Sequence, residues 1–395
     1  MKSILASRVG NLKPSATLAI SAKAKELQSQ GVDVVGFGAG EPDFPTPEHI
    51  REAAKRSLDR GETFYTPVGG ILSLKKAVIH RFKEDYGLEY KPEEILISCG
   101  AKHSLYNIIQ ALIGDGDEVL VLAPYWLSYP EMVELAGGVP VVAFGKEEDN
   151  FVPDLNDIEA KITSRTKAII VNSPSNPTGV LYPESFQRGL ADLAHRHDLV
   201  VISDEIYDKL LYDNLKFVPF ATLPGMKERT VTVNGVSKTY AMTGFRIGYL
   251  ASPLINLVKA ATDIQSQSTS NPSSTAQAAA EQALKGPQDD VAVMASVFEK
   301  RRDLMINELG KIQGLRTVRP DGAFYAFVNV AQFLGRHGVN DSNDMARYLL
   351  ETKHVACVPG GPFGSENHIR LSFAIDDQTI IKGIDRISGA LKELA

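Results

Sequence analysis

Ser237-Lys238-Thr239-Tyr240-Ala241-Met242-Thr243-Gly244-Phe245-Arg246-Ile247-Gly248 is the stretch on which the reading of this chain turns. It follows an apolar run, Thr230 to Val233, and leads into another, Ile247 to Ala251. A lysine and an arginine, with hydroxyls and glycines around them, stand between two segments that read as buried strands. Lysine is almost never fully buried without a partner. Taken alone, Lys238 reads as a solvated loop lysine whose stem lies along apolar surface. The other reading is an amine nucleophile or a charge clamp, and the rest of the chain decides between them.

Upstream, short runs rich in Val, Ile and Leu recur at Glu94 to Cys99, Glu118 to Ala123, Val139 to Phe144, Lys167 to Asn172 and Leu199 to Asp204. With Thr230 to Asn234 and Ile247 to Ala251 they make seven predicted strands. Such runs fit strands covered on both faces. Helical patterns lie between them at Lys102 to Ile113, Pro130 to Ala136 and Pro183 to Asp198. The expectation is an α/β fold with a large, mostly parallel sheet under helices. Ligands of such sheets sit beyond the carboxyl ends of the strands.

Toward the N-terminus the pattern predicts a helix from Ala16 to Gln30 and a strand from Val32 to Gly38. A turn rich in proline follows, Gly40 to Pro47. Pro47 then opens a helix that runs through Leu58 and stops at Gly61, and another spans Leu72 to Tyr86. After about Pro287 the texture changes to an α+β unit. It has helices at Val291 to Ile312, Ser342 to Thr352 and Asp377 to Leu394, and strands at Gly322 to Val330, His354 to Val358 and Ile369 to Phe373. The expected organisation is a large domain of residues 48–286 and a smaller one built from residues 1–47 and 287–395.

The chain has 395 residues, 44% hydrophobic and 23% charged, with a formal charge of −6, the balance of an ordinary globular protein. That charge offers nothing to attract nucleic acid. No apolar stretch approaches membrane-spanning length, and Ile4 to Ser7 is too short for a signal-peptide core, so a cytoplasmic protein is expected. Cys99 and Cys357 both adjoin apolar runs and read as buried, reduced thiols.

The polar residues at the strand ends form one set. They are Gly100-Ala101-Lys102, Tyr125-Trp126, Asn172 to Gly179, Asp204-Glu205-Ile206-Tyr207, Ser237-Lys238 and Arg246. Gly100-Ala101 opens a helix directly after a strand, where free N–H groups favour a phosphate. Asp204 ends a buried run and reads either as a helix cap or as a partner for a pyridine nitrogen. Trp126 is the only tryptophan and stands where an aromatic slab could stack on a ring. An amine, an acid, a phenol, an amide, an aromatic slab and a small-residue helix start suit a planar anionic cofactor that reacts with an amine.

In order and spacing this set resembles the class I and II aminotransferases, pyridoxal-phosphate enzymes of fold type I, and among them the bacterial aspartate/prephenate subgroup. The pieces that carry the resemblance are Lys13-Pro14-Ser15, Gly40-Glu41-Pro42-Asp43-Phe44, Tyr65, Asn172 to Gly179, Asp204 to Tyr207, Ser237-Lys238, Met242 to Gly248 and Arg370-Leu371-Ser372. The resemblance implies that Lys238 holds pyridoxal 5′-phosphate covalently and later shuttles a proton. It gives Asp204 the pyridine nitrogen, Tyr207 and Asn176 the phenolic oxygen, and Trp126 the ring face. Gly100, Ala101, Lys102, Ser237 and Arg246 would line the phosphate site, with Tyr65 reaching it from the neighbouring subunit of a homodimer. Arg370 would grip the substrate α-carboxylate, with Trp126, Asn176 and Gly40 against the substrate. No metal is implied.

The side chain of the substrate is read from less. Asp263 to Pro272, where well-known aspartate aminotransferases supply an arginine from the neighbouring subunit, contains no lysine or arginine. Lys13 and Lys102 are the remaining candidates for a distal carboxylate. The expected reaction moves an amino group between L-aspartate, with glutamate and prephenate as further partners, and 2-oxoglutarate. The alternatives are an aminotransferase for aromatic or neutral amino acids, a carbon–sulfur lyase, and a non-catalytic effector-binding module.

Overall fold

The seven apolar runs pair into one sheet. The computed structural model describes residues 4–10, 12 and 16–394. Across the sheet the strands run Ile95–Ser98, Gly248–Ala251, Thr230–Gly235, Val200–Asp204, Thr166–Asn172, Glu118–Ala123 and Val139–Phe144. Gly248–Ala251 is antiparallel to both neighbours, and the other adjacent pairs are parallel. Side chains alternate between the faces, as strand geometry requires. Val119, Val121, Ala168 and Ile170 pack with Leu105 and Ile108 of helix Ala101–Leu112. Leu120, Leu122, Ile169 and Val171 pack with Phe186 and Leu190 of helix Glu184–Arg196. Val139–Phe144 is part-exposed, as an edge strand is, while the interior strands are buried.

A second, antiparallel sheet runs Val358–Pro359, His368–Ser372, Tyr325–Asn329 and Arg316–Thr317. Its core is closed by helices Asp289–Leu309, Ser342–Lys353 and Asp377–Leu394 through Phe298, Met305, Leu349, Ile384 and Leu391. The N-terminal part joins this unit, because Val35–Gly36 pairs in parallel with Val355–Ala356. Tyr207 and Leu210 belong to the same hydrophobic cluster, so the turn after Val200–Asp204 is packed into the second unit.

Three expectations are corrected. The strand expected from Val32 to Gly38 is only Val35–Gly36, because the partner Val355–Ala356 is itself two residues long. The strand expected from His354 to Val358 is broken at Cys357, where the chain leaves one sheet for the other. Cys357 is buried, but Cys99 is half-buried, being the residue at which a strand gives way to a turn. Helices Leu155–Ala160, Ile255–Ser268 and Ser274–Lys285 and strand Arg316–Thr317 were not anticipated.

The loop after Asn172 meets the segment leading into Tyr325–Asn329 at Gly179. Its carbonyl accepts the amides of Asp321 and Gly322, each at 2.9 Å. Its φ is +71°, and a Cβ there would lie 2.6 Å from Pro320 Cβ and 2.9 Å from Gly322 O. Gly179→Ala therefore combines left-handed strain with a backbone clash, and should cost about 2–4 kcal/mol. A thermal midpoint several degrees below that of the parent checks this, and an unchanged midpoint contradicts it.

Candidate active site

Sheet register brings the strand-end residues together. Asn172 lies opposite Asp204, Asp204 opposite Val233, and Gly235 opposite Gly248. The parallel strands Thr166–Asn172, Val200–Asp204 and Thr230–Gly235 thus end at one edge. Because Gly248–Ala251 runs the other way, it begins at that same edge, which is how Arg246 joins Lys238.

Gly100 and Arg246 form a cationic cradle. Helix Ala101–Leu112 starts at Gly100, and its first intrahelical bonds run from the amides of His103 and Ser104 to Gly100 O at 2.9 and 3.3 Å. The amides ahead of them stand at the positive end of the helix dipole. Gly100 has φ +88°, and a Cβ would sit 2.5 Å from Arg246 Nη2. Only glycine lets the guanidinium rest there. Arg246 donates to the carbonyls of Thr243 at 3.2 Å and Cys99 at 3.3 Å. A helix start beside a guanidinium that leans on carbonyls is suited to a phosphate-like anion.

Lys238 lies next to this cradle. Its Nζ donates to Gly40 O at 2.5 Å and stands 5.9 Å from the centre of the Phe324 ring. Burial is the main reason its ammonium is held down at about 8; Glu41 and Asp204 oppose that fall, and Arg246 and Arg370 add to it. Asp204 is buried, and burial raises its carboxyl to about 6. The Tyr129 hydroxyl donates to Asp204 Oδ2 at 2.6 Å, and the Ile206 amide to Oδ1 at 3.3 Å, both favouring the carboxylate. Burial and these two hydrogen bonds thus pull the Asp204 carboxyl in opposite directions.

Arg370 defines the opposite wall. It is 2% exposed, donates to Asn176 Oδ1 at 3.0 Å and Gly38 O at 3.1 Å, and keeps Nε without a partner. Its guanidinium lies 4.4 Å from the Tyr325 ring centre and 5.2 Å from that of Phe363. Among the described residues it forms no ion pair with a carboxylate, and its acceptors are an amide oxygen and a backbone carbonyl. Burial pulls its pKa down, the cost of a buried cation without a counter-ion. The Tyr207 and Tyr325 hydroxyls are 2.9 Å apart, and a Cβ on Gly40 would lie 3.6 Å from Tyr325 Oη. Lys238, Gly40, Tyr325, Tyr207, Asn176 and Arg370 therefore form one contiguous lining.

The remaining candidates divide. Lys102 Nζ lies 4.7 Å above the Trp126 ring, and its charged neighbour is Arg246. Trp126 meets Tyr129 edge-on at 5.3 Å, which ties it to Asp204. Ser237 is buried beside Lys238. Tyr65 does not join the lining: it is 91% exposed, and Phe64 beside it is 82% exposed. Lys13 lies outside the described residues. Two tyrosines that touch the site were not anticipated, Tyr129 and Tyr325. The first has a weak signal in sequence, three positions beyond Trp126 at the start of helix Ser128–Leu135. The second has none, because only the register of Tyr325–Asn329 against His368–Ser372 sets it beside Arg370. No cluster of His, Cys, Asp or Glu able to hold a metal occurs among the described residues, and no helix among them is long and apolar enough to cross a membrane.

Comparison with known proteins agrees with this geometry. A family described as aminotransferase class I and II matches residues 32–387. An aspartate aminotransferase of Geobacillus stearothermophilus is 47% identical over 97% of this chain and 98% of its own length. An aspartate/prephenate aminotransferase of Thermus thermophilus is 45% identical over 98% of both chains. In structure the chain is similar to a Thermus thermophilus aspartate aminotransferase solved with maleate, with a TM-score of 0.93, 44% identity and coverage of 99% of this chain and 100% of that one. It is equally similar to an aspartate aminotransferase of Rhizobium meliloti, with a TM-score of 0.94, 42% identity and coverage of 99% of both chains. The chain therefore belongs to the class I and II aminotransferase family.

Proposed function

We propose that the protein is a pyridoxal-phosphate-dependent aminotransferase that moves the amino group of L-aspartate to 2-oxoglutarate, giving glutamate. The observation that carries this reading is the pairing, across one lining, of a buried Arg370 whose Nε has no partner with a Lys238 amine that meets the Gly40 carbonyl beside the Gly100 and Arg246 cradle. The residues fit the cofactor. The Gly100 and Arg246 cradle suits its phosphate, and the Asp204 carboxylate suits a protonated ring nitrogen. Pyridoxal 5′-phosphate, when bound, supplies an electron sink for the substrate α-carbon.

In this reading the neutral Lys238 Nζ attaches the cofactor and, once released, moves a proton at the substrate α-carbon. Asp204 holds negative charge against the ring nitrogen, and Tyr129 holds Asp204 in place. Tyr207 and Asn176 serve the phenolic oxygen, Ser237 and the amides of Ala101 and Lys102 serve the phosphate, and Trp126 covers one ring face. Arg370 orients the α-carboxylate as a planar fork, with Gly40 leaving space beside it. Lys102, on the Trp126 ring, is the cation for the distal carboxylate. The Thermus thermophilus relative solved with maleate, a dicarboxylate, supports a dicarboxylic substrate, and the relatives named for prephenate, also a dicarboxylate, support tolerance for it.

Two wider parts belong to the same reading. Residues 48–286 make the cofactor-binding domain and residues 1–47 with 287–395 the smaller one, which the two separate sheets support. The protein acts as a cytoplasmic homodimer in which Tyr65 reaches the phosphate of the partner subunit. The exposed Phe64-Tyr65 pair and the unpaired cysteines support this.

Two measurements test the proposal. Loading of the apoprotein needs Lys238 without its proton, and the lowered pKa moves that condition down from the ordinary lysine range. The loading rate should rise with pH and level off above about 8; a rate still climbing at about pH 10 would mean an ordinary lysine. Lys102→Ala should lower kcat/KM for aspartate about 10- to 100-fold and leave alanine within about threefold. Equal losses for the two substrates would remove Lys102 from the distal site.

A further inference from the structure

Tyr325 touches three parts of the site: Arg370, Tyr207 and the space beside Gly40. It starts strand Tyr325–Asn329, opposite Ser372, so Arg370 is its diagonal neighbour on the same face of the sheet. That register sets the Arg370 guanidinium 4.4 Å from its ring centre. Its hydroxyl is 2.9 Å from that of Tyr207 and 3.6 Å from where a Gly40 side chain would begin. It is 1% exposed.

A phenol has one proton to donate, so the direction of the Tyr325–Tyr207 bond decides what Tyr207 can do. Burial raises both phenols, with Arg370 opposing the rise, so each keeps its proton. Arg370 offers Tyr325 only donors and a cation, so the Tyr207 oxygen is the acceptor within reach.

We propose that Tyr325 is a positioning residue that couples the carboxylate grip to the phenol: its ring supports Arg370, and its hydroxyl donates to Tyr207, freeing the Tyr207 proton for the cofactor's phenolic oxygen. Both halves of the aminotransferase cycle would use the same arrangement, since each presents an α-carboxylate to Arg370. The proposal rests on the reading in which Tyr207 serves that oxygen.

The test uses the cofactor-loaded protein and follows its visible absorbance against pH. A weaker donor at the phenolic oxygen leaves that oxygen more basic, so the spectral transition moves up. In Tyr325→Phe, which keeps the ring and loses the hydroxyl, the transition should rise by about one pH unit, with KM for the amino acid within about threefold. In Tyr325→Leu, which also loses the ring, KM should rise about tenfold or more. A parental transition in Tyr325→Phe, while Tyr207→Phe shifts it, overturns the proposal and spares the reading beneath it. A parental transition in Tyr207→Phe removes the Tyr207 assignment and the proposal with it.

Discussion

A buried guanidinium with no carboxylate beside it is the constraint around which this site is arranged. Arg370 sits in the second sheet, held by two oxygen acceptors and two aromatic rings, with Nε unpartnered. Leaving a buried charge uncompensated is costly. Asn176, Gly38, Tyr325 and Phe363 surround it without neutralising its charge. Burial also lowers the Lys238 pKa, and with it the pH at which the amine is nucleophilic. Burial thus acts on both cations, Arg370 and Lys238.

The two sheets divide the work. The large sheet supplies Asp204, Lys238 and, through its one reversed strand, Arg246. The small sheet supplies Arg370 and Tyr325. Contact between the halves runs through Gly40, whose carbonyl meets Lys238, and through Asn176, whose amide oxygen meets Arg370. Gly179 holds the Asn176 loop against the segment that leads to Tyr325. These contacts join the surroundings of Arg370 to those of Tyr207 and Lys238.

The seven strands were legible because each is a continuous apolar run, a pattern that survives without tertiary information even at the part-exposed edge strand Val139–Phe144. The helix Asp377–Leu394 was legible too, its ends matching the expectation. Ile255–Ser268 was not, because its C-terminal half is rich in Gln and Ser and carries no sustained apolar face. The strands Val35–Gly36 and Val355–Ala356 exist only because each has the other. At the site, Lys238, Asp204, Arg246 and Arg370 were read from motif order. Tyr129 and Tyr325 were not, since their value lies in hydroxyl contacts across 75 and 118 residues of chain. Nothing local distinguishes either tyrosine from a core residue.

The central claim is that these walls bind a dicarboxylic amino acid and exchange its amino group. It is tested most directly by adding a panel of amino acids, one at a time, to the cofactor-loaded protein. The absorbance of the bound cofactor and the product released would be followed together. Aspartate and glutamate should change the spectrum fastest and release their 2-oxo acids with the amino group retained on the protein, and 2-oxoglutarate should then restore the starting spectrum. Release of ammonia with the 2-oxo acid, or a faster response to neutral or aromatic amino acids than to aspartate, would contradict the account.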